Sequence, residues 1–162
     1  MNIIRIDGTT AEKIVPLVAA FRVTLRSCKG IESEPDPEAA REEILDFLDR
    51  GYPVFAAEHD GEAVGYIACR IEEPCLWVEH IYVSDGFRRH GAASLLFGKA
   101  EEIAGAMGED TVYNYVHPNN EGMIAFLRSK GYTVLNMIEI RKPYGGEKLT
   151  TKIRVNENAF DY

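Results

Sequence analysis

At 162 residues the chain is long enough for one buried core and too short for two ordinary domains. Its 46% apolar and 27% charged residues exclude the disordered, collagen-like and fibrous classes. Eighteen Lys and Arg against 26 Asp and Glu leave a net charge of −8, which disfavours nucleic acid and anionic lipid as partners and mildly favours a cation such as an amine. Asn2 to Ile6 reads as a short first strand. Thr9 or Thr10 can cap a helix from about Ala11, with Glu12 in its first turn. Ile14, Leu17, Val18, Phe21 and Leu25 repeat at helical spacing to about Arg26, and Pro16 is expected to kink or delay that helix. A polar stretch, Lys29 to Asp36, carries Glu32, Glu34 and Asp36. Asp36-Pro37 then starts a second helix with Ile44, Leu45 and Leu48 facing inward, ended by Gly51.

Beyond Gly51 the period changes to two. Pro53 to Glu58 and Ala63 to Ile71 read as strands joined by the hairpin signal His59-Asp60-Gly61-Glu62. Glu72-Glu73-Pro74 turns the chain into a further strand, Leu76 to Val83, which Ser84-Asp85-Gly86 breaks. A helix is predicted from about Ala92 to Met107 with Leu95, Leu96, Ala100 and Ile103 buried. Thr111 to His117 follows as a strand, then Asn120 to Lys130 as a helix with Ile124 and Leu127 spaced for burial and Gly131 at its end. Tyr132 to Arg141 reads as a strand and Leu149 to Val155 as a last one. The order implies one mixed sheet with helices packed on it, an α/β (α+β) chain folded as a single domain over residues 1–162.

The three cysteines, Cys28, Cys69 and Cys75, lack metal-ligand spacing and read as buried thiols, so no metal is expected. No window reaches the apolar length of a membrane helix, and the N-terminus has no targeting pattern, so a cytoplasmic protein without membrane partners is expected.

The chemistry is concentrated between Leu76 and Leu96, LWVEHIYVSDGFRRHGAASLL. A strand ends, the turn Arg88-Arg89-His90-Gly91 follows, and a helix begins at Ala92-Ala93-Ser94. The first N–H groups of a helix have no partner within it and stand at the positive end of its dipole, which makes an anion site. Gly91 removes a side chain where a phosphate must approach, and Arg88 or Arg89 can add a charged hydrogen bond. A solvated helix start is the alternative reading of the same residues.

Val83-x4-Arg88-x-x-Gly91-x-Ala93 resembles the acetyl-CoA signature of the GNAT acetyltransferases. Asn119-Asn120-Glu121 and the run Ala125 to Tyr132 resemble that family's second signature, an Asn-led helix ending in Gly and an aromatic residue. The resemblance implies the GNAT fold, a central mixed, mostly antiparallel sheet splayed at the fourth strand with about four flanking helices. It implies acetyl-CoA as cosubstrate, its pyrophosphate on the turn of Arg88, Arg89, His90, Gly91, Ala92, Ala93 and Ser94. The pantetheine arm is implied to pair as an added strand with the backbone of Ile81, Tyr82 and Val83. Asn120, or Asn119, matches the Asn that contacts the cofactor; helix capping is the other role open to either.

The implied reaction is acetyl transfer to a primary amine of a small molecule or peptide. The amine must lose a proton before it attacks, and Glu79 falls where polyamine acetyltransferases of the family carry a Glu. A salt-bridged strand carboxylate is the other reading of Glu79. His80 is adjacent, but successive strand residues point to opposite faces, so only one of the two is expected at the substrate unless a bulge re-aims the other. Leu127 stands where many relatives have a Tyr that protonates the leaving thiolate. Tyr82, Tyr113, Tyr115 and His117 are candidate substitutes, and a thiolate of pKa ~8.5 also leaves without an acid.

Glu32, Glu34 and Asp36 lie where acceptor residues normally come from and can hold a cation, although charge runs are commonly solvated loops. The extension from 144 to 162 can pair with the sheet or with a second subunit, making a homodimer. A non-catalytic acyl-CoA sensor of the same fold is the competing function, consistent with Leu127.

Overall fold

Five strands lie side by side in chain order in a computed structural model that describes residues 1–162. They are β1 (Asn2–Arg5), β2 (Val54–His59), β3 (Glu62–Glu72), β4 (Cys75–Val83) and β5 (Tyr113–Asn114). The first four pair antiparallel, while β4 and β5 run parallel. Four helices accompany them: α1 (Val15–Cys28), α2 (Pro37–Asp49), α3 (Ala92–Ala106) and α4 (Glu121–Ser129). This is the mixed, mostly antiparallel sheet with four helices that the sequence predicts. No helix is long and apolar enough to cross a membrane.

Local chemistry accounts for the boundaries. Asp60 and Gly61 both take positive φ, 51° and 85°, as the tight hairpin between β2 and β3 requires. Asp36 Oδ1 accepts the Ala39 N–H at 3.0 Å and Pro37 occupies the first helical position of α2. Pro16 lies in the first turn of α1, where its missing N–H costs nothing, and residues 11–13 form a separate 3-10 turn. Pro16 thus delays the helix rather than kinking it.

Alternate residues of β3 serve opposite faces of the sheet. Tyr66 and Ala68 join a core with Val18 and Phe21 of α1 and Ala40 and Ile44 of α2. Gly65 faces the other way. A Cβ on it would stand 2.9 Å from the Tyr82 carbonyl oxygen, 3.0 Å from Val83 Cγ2 and 3.4 Å from Leu96 of α3. That close approach is why position 65 carries no side chain.

Several expected details are corrected. The buried stripe of α3 runs through Ala92, Leu96, Phe97, Ala100 and Ala104, and Leu95 lies outside it, 48% exposed. Leu45 likewise sits at the solvent edge of α2, whose inner stripe is Ala40 and Ile44. The strand expected over 111–117 contracts to Tyr113–Asn114 because only two of its residues find a ladder partner on β4.

The chain forms two compact units, Met1–Phe126 and Leu127–Tyr162. In the second, residues 132–141 enter no ladder, so the predicted strand there is absent despite its alternating apolar residues. The last predicted strand forms over Lys152–Val155 (β6). It pairs with Asn158–Asp161 (β7) in a separate two-stranded sheet instead of joining the five-stranded one. The nearest complementary segment supplies the partner, across a turn where Asn156 adopts φ 54°.

Candidate active site

Strand β4 carries one residue more than its partner. Ala68 of β3 stands opposite His80, and the next residue, Cys69, stands opposite Val78, so Glu79 is the extra residue of a β-bulge. Without it, Trp77 and His80 would face opposite sides of the sheet. With it, Trp77, His80 and Tyr82 oppose Arg70, Ala68 and Tyr66, which are spaced by two on β3 and share one face. The face is the one covered by α1 and α2.

Glu79 is turned to the same side. Its Oε1 accepts a hydrogen bond from Arg70 Nε at 2.6 Å, and its side chain is 24% exposed. Arg70 in turn pairs with Glu72 and lies over the Trp77 ring, 5.4 Å from its centroid. Tyr115 stacks on Trp77 at 4.7 Å and 13°, and Tyr113 tilts against it at 4.8 Å. The bulge therefore brings Glu79 and His80 to one face, but in different environments.

His80 is only 4% exposed and packs 4.8 Å from Phe21 and 5.1 Å from Phe47. Burial, then the charge of Arg22, pushes its pKa down to about 3, so the ring is neutral. Arg22 Nη2 lies 3.1 Å from Nε2. A guanidinium can only donate, so Nε2 is the acceptor and the ring proton sits on Nδ1, 3.3 Å from the Tyr66 hydroxyl. Glu43 Oε1 is 3.4 Å from the same Nε2. With a neutral ring this is not an ion pair; Glu43 is satisfied by Arg22, whose Nε donates to its Oε2 at 2.8 Å.

That Arg22–Glu43 pair lines a cleft of about 740 Å³ between α1, α2 and the loop connecting them. Arg26 lines it from α1, Lys29, Glu34 and Asp36 from the loop that follows, and His117 from beyond β5. Burial, then Lys29, lowers the His117 pKa. Of the loop carboxylates expected near an acceptor, Glu34 and Asp36 line this cleft, and Asp36 also caps α2.

Past Val78, β4 loses its neighbour. The β4–β5 ladder consists of Trp77 with Tyr113 and Val78 with Asn114, so Ile81, Tyr82 and Val83 are paired with β3 but not with β5. This is the splay. Asn114 stands at the last rung. Its Nδ2 donates to the Val112 carbonyl at 3.2 Å, while its Oδ1 is buried without a hydrogen-bond partner.

The open edge leads into the basic turn. Arg89 and Gly91 adopt positive φ, 67° and 87°, and helix α3 begins with Leu95 N–H donating to the Gly91 carbonyl at 3.0 Å. The amides of Ala92, Ala93 and Ser94 therefore precede the first helical hydrogen bond. Nothing lies within 4 Å of a Cβ built on Gly91, so the left-handed backbone is what calls for glycine there. Arg88 is turned inward: Nε donates to the Val83 carbonyl at 3.0 Å and Nη2 lies 2.8 Å from Asp85. His90 Nδ1–H donates to the Arg88 carbonyl at 2.8 Å.

Both asparagines of the second signature have structural partners. Asn120 Oδ1 accepts the Met123 N–H at 3.1 Å and caps α4, and Asn119 Nδ2 donates to the Cys28 carbonyl at the end of α1 at 2.9 Å. Leu127 is buried. Sequence reasoning missed three contributors: Arg22, Arg70 and Asn114. Each is an ordinary polar residue in its own local pattern, and only the tertiary pairing of β4 gives it a role. The three cysteines are free, but only Cys69 is a buried thiol as expected, its pKa pushed by burial up to about 12; Cys28 and Cys75 are partly exposed.

Residues 18–132 match the acetyltransferase (GNAT) family profile. An uncharacterized N-acetyltransferase of Methanocaldococcus jannaschii is 30% identical over 89 residues, 48% of this chain and 38% of that one, so the match spans well under half of the relative. Among solved structures, the ribosomal-protein-alanine N-acetyltransferase of Brucella melitensis biovar Abortus aligns with a TM-score of 0.69 at 19% identity, over 88% of this chain and 99% of that one. An aminoglycoside N-acetyltransferase in complex with a CoA-containing bisubstrate analogue aligns with a TM-score of 0.68 at 18% identity, over 88% and 97%. Identities this low establish the shared fold.

Proposed function

The chain belongs to the GNAT acetyltransferase family, and from that premise we propose that it transfers an acetyl group from acetyl-CoA to a primary amine of a small molecule or peptide. One observation carries the reading: the half of β4 that lacks a β5 neighbour runs directly into the helix start whose amides are unpaired. A strand edge and an anion site in sequence match a ligand with an amide-bearing arm and a diphosphate. The orphaned Asn114 Oδ1 at the divergence fits as well, since it can accept an N–H from that arm.

Acetyl-CoA supplies an activated thioester carbonyl. Ile81, Tyr82 and Val83 would pair with its arm, and Arg89 through Ser94 would hold its pyrophosphate by main-chain amides. Arg88 acts from behind, bracing the Val83 carbonyl and the turn. Asn120 retains its side-chain nitrogen for the cofactor while its oxygen caps α4.

The amine nitrogen forms a bond to the acetyl carbon, the C–S bond breaks, and the departing thiolate takes up the second proton that the new amide nitrogen sheds. A typical alkylammonium, with a pKa near ~10, is mostly protonated at neutral pH and must first lose a proton. Glu79 is the acceptor of that proton, directly or through one water. Its position on the bulge, aimed at the face covered by α1 and α2, supports this assignment. Its Oε2 is left for the proton because Arg70 takes Oε1. His80, neutral and enclosed, is a positioning residue that holds Arg22 at the cleft.

The test is transfer from labelled acetyl-CoA to a panel of primary amines and short peptides, with calorimetry of acyl-CoA binding alongside. Transfer to any member supports the proposal. Tight binding without transfer to any of them favours a sensor. No heat with acetyl-CoA or CoA removes both.

A further inference from the structure

The cleft beside α1 carries opposite charge on its two walls. Arg22 and Arg26, four apart, share one face of α1 and Lys29 caps its end, while Glu34, Asp36 and Glu43 also line the cleft. Three of these groups are already engaged, while Glu34 has no ion pair and stands on the wall opposite Arg26 and Lys29. Arg22 and Glu43 satisfy each other, and Asp36 caps α2. Arg26 and Lys29 take part in none of the chain's ion pairs.

Arg22 and Arg26 repel one another at the i,i+4 spacing, and Lys29 at the helix end adds a third cation beside them. Their effect is felt inside the cleft: the charge of Arg26 helps to lower the Arg22 pKa, and that of Lys29 helps to lower that of His117. An anion between Arg26 and Lys29 relieves this repulsion. At about 740 Å³ the cleft has the capacity of a small-molecule site. Arg22 touches His80 of β4, whereas Lys29 is about 10 Å further along the helix axis at ~1.5 Å per residue. An anion at that end would therefore belong to a part of the acceptor remote from its reacting nitrogen.

We infer that the acceptor is a zwitterionic amine whose carboxylate is held by Arg26 and Lys29, several bonds from the amino group that is acetylated. The inference rests on the acetyltransferase reading and narrows its substrate class. Overall charge does not describe this cleft, since the chain is acidic but the wall formed by Arg26 and Lys29 is cationic.

The experiment compares matched probes that differ by a carboxylate: hexylamine against 6-aminohexanoate, and 1,5-diaminopentane against L-lysine. Binding is measured by calorimetry on the full chain with saturating CoA at low salt. In each pair the carboxylate-bearing member is expected to bind about tenfold more tightly, the size of one charge-assisted hydrogen bond. R26Q/K29Q should bring that ratio towards one, and R26K/K29R should preserve it, which a role confined to the stability of α1 would not produce. Equal or weaker binding of the carboxylated members overturns the inference. So does a ratio unchanged in R26Q/K29Q, or no binding by any probe. The parent reading is scored separately by CoA binding and acetyl transfer: transfer that favours the plain amines would sink the substrate class and leave the transferase standing.

Discussion

Arg70 holds Glu79 across a β-bulge, Nε to Oε1 at 2.6 Å, while its guanidinium lies over Trp77. The contact fixes the carboxylate at the one point where β4 departs from regular alternation. Partly exposed single ion pairs of this kind contribute modestly to stability, because solvent screens them. Their value here is orientation: one oxygen is immobilised, as the proposed role of Glu79 requires.

Glu79→Gln keeps the hydrogen bond from Arg70 and removes the basic oxygen. kcat should fall about a hundredfold at neutral pH, within the usual range for loss of a general base. The deficit should shrink as pH approaches ~10, where the free amine no longer needs deprotonating. A pH–rate profile checks this, and a deficit constant with pH would make Glu79 a structural residue.

Gly91→Ala places a Cβ on a backbone with φ 87°. The strain, roughly 1–2 kcal/mol, falls on the turn itself. Calorimetry should show acetyl-CoA affinity reduced by at least about tenfold, the equivalent of ~1.4 kcal/mol, with the far-UV dichroism unchanged.

Gly65→Ala forces a Cβ against the Tyr82 carbonyl and the Val83 side chain. Overpacking of this kind costs about 1–3 kcal/mol. Because the displaced atoms belong to the strand proposed to hold the acetyl-CoA arm, stability to urea should fall and the KM for acetyl-CoA should rise.

His80 has a folded pKa of about 3 against an ordinary 6.5. Between those values the unfolded chain binds more protons than the folded one, so stability rises with pH and is lost as pH falls below 6.5. The slope contributed is at most ~1.4 kcal/mol per pH unit. Denaturant titrations from pH 7 to pH 4 should show this loss in the parent protein and a shallower one in His80→Gln.

Asn114→Leu removes a buried oxygen that has no partner in the protein. Relief of the orphaned oxygen offsets the loss of the Nδ2 bond to the Val112 carbonyl, whereas losing the oxygen as a ligand contact weakens binding. The thermal midpoint without ligand should change little, and the increment on adding acetyl-CoA should shrink.

The turn at Arg88 to Ser94 was legible in the sequence because its determinants are local: a strand end, Gly91 and a helix start. The hairpin at Asp60-Gly61 was legible for the same reason. The face shared by Trp77, His80 and Tyr82 was not, since nothing in LWVEHIYV distinguishes a bulged strand from a regular one. The bulge exists only in register with Ala68 and Cys69. Asn119 and Asn120 show the converse limit. Their positions were legible, but the sequence left capping and cofactor contact open, and the protein contacts supply the first. Residues 132–141 alternate as a strand should, yet alternation describes a surface able to pair and does not supply a partner.

The two-rung junction between β4 and β5 has a consequence beyond catalysis. Exposed main-chain donors and acceptors invite any extended peptide, including the same segment of another molecule. A coenzyme lying along that margin would act as a stopper against self-association, and its departure after each cycle would briefly uncork the molecule. Colloidal behaviour of the purified protein would in this way depend on whether that margin is occupied.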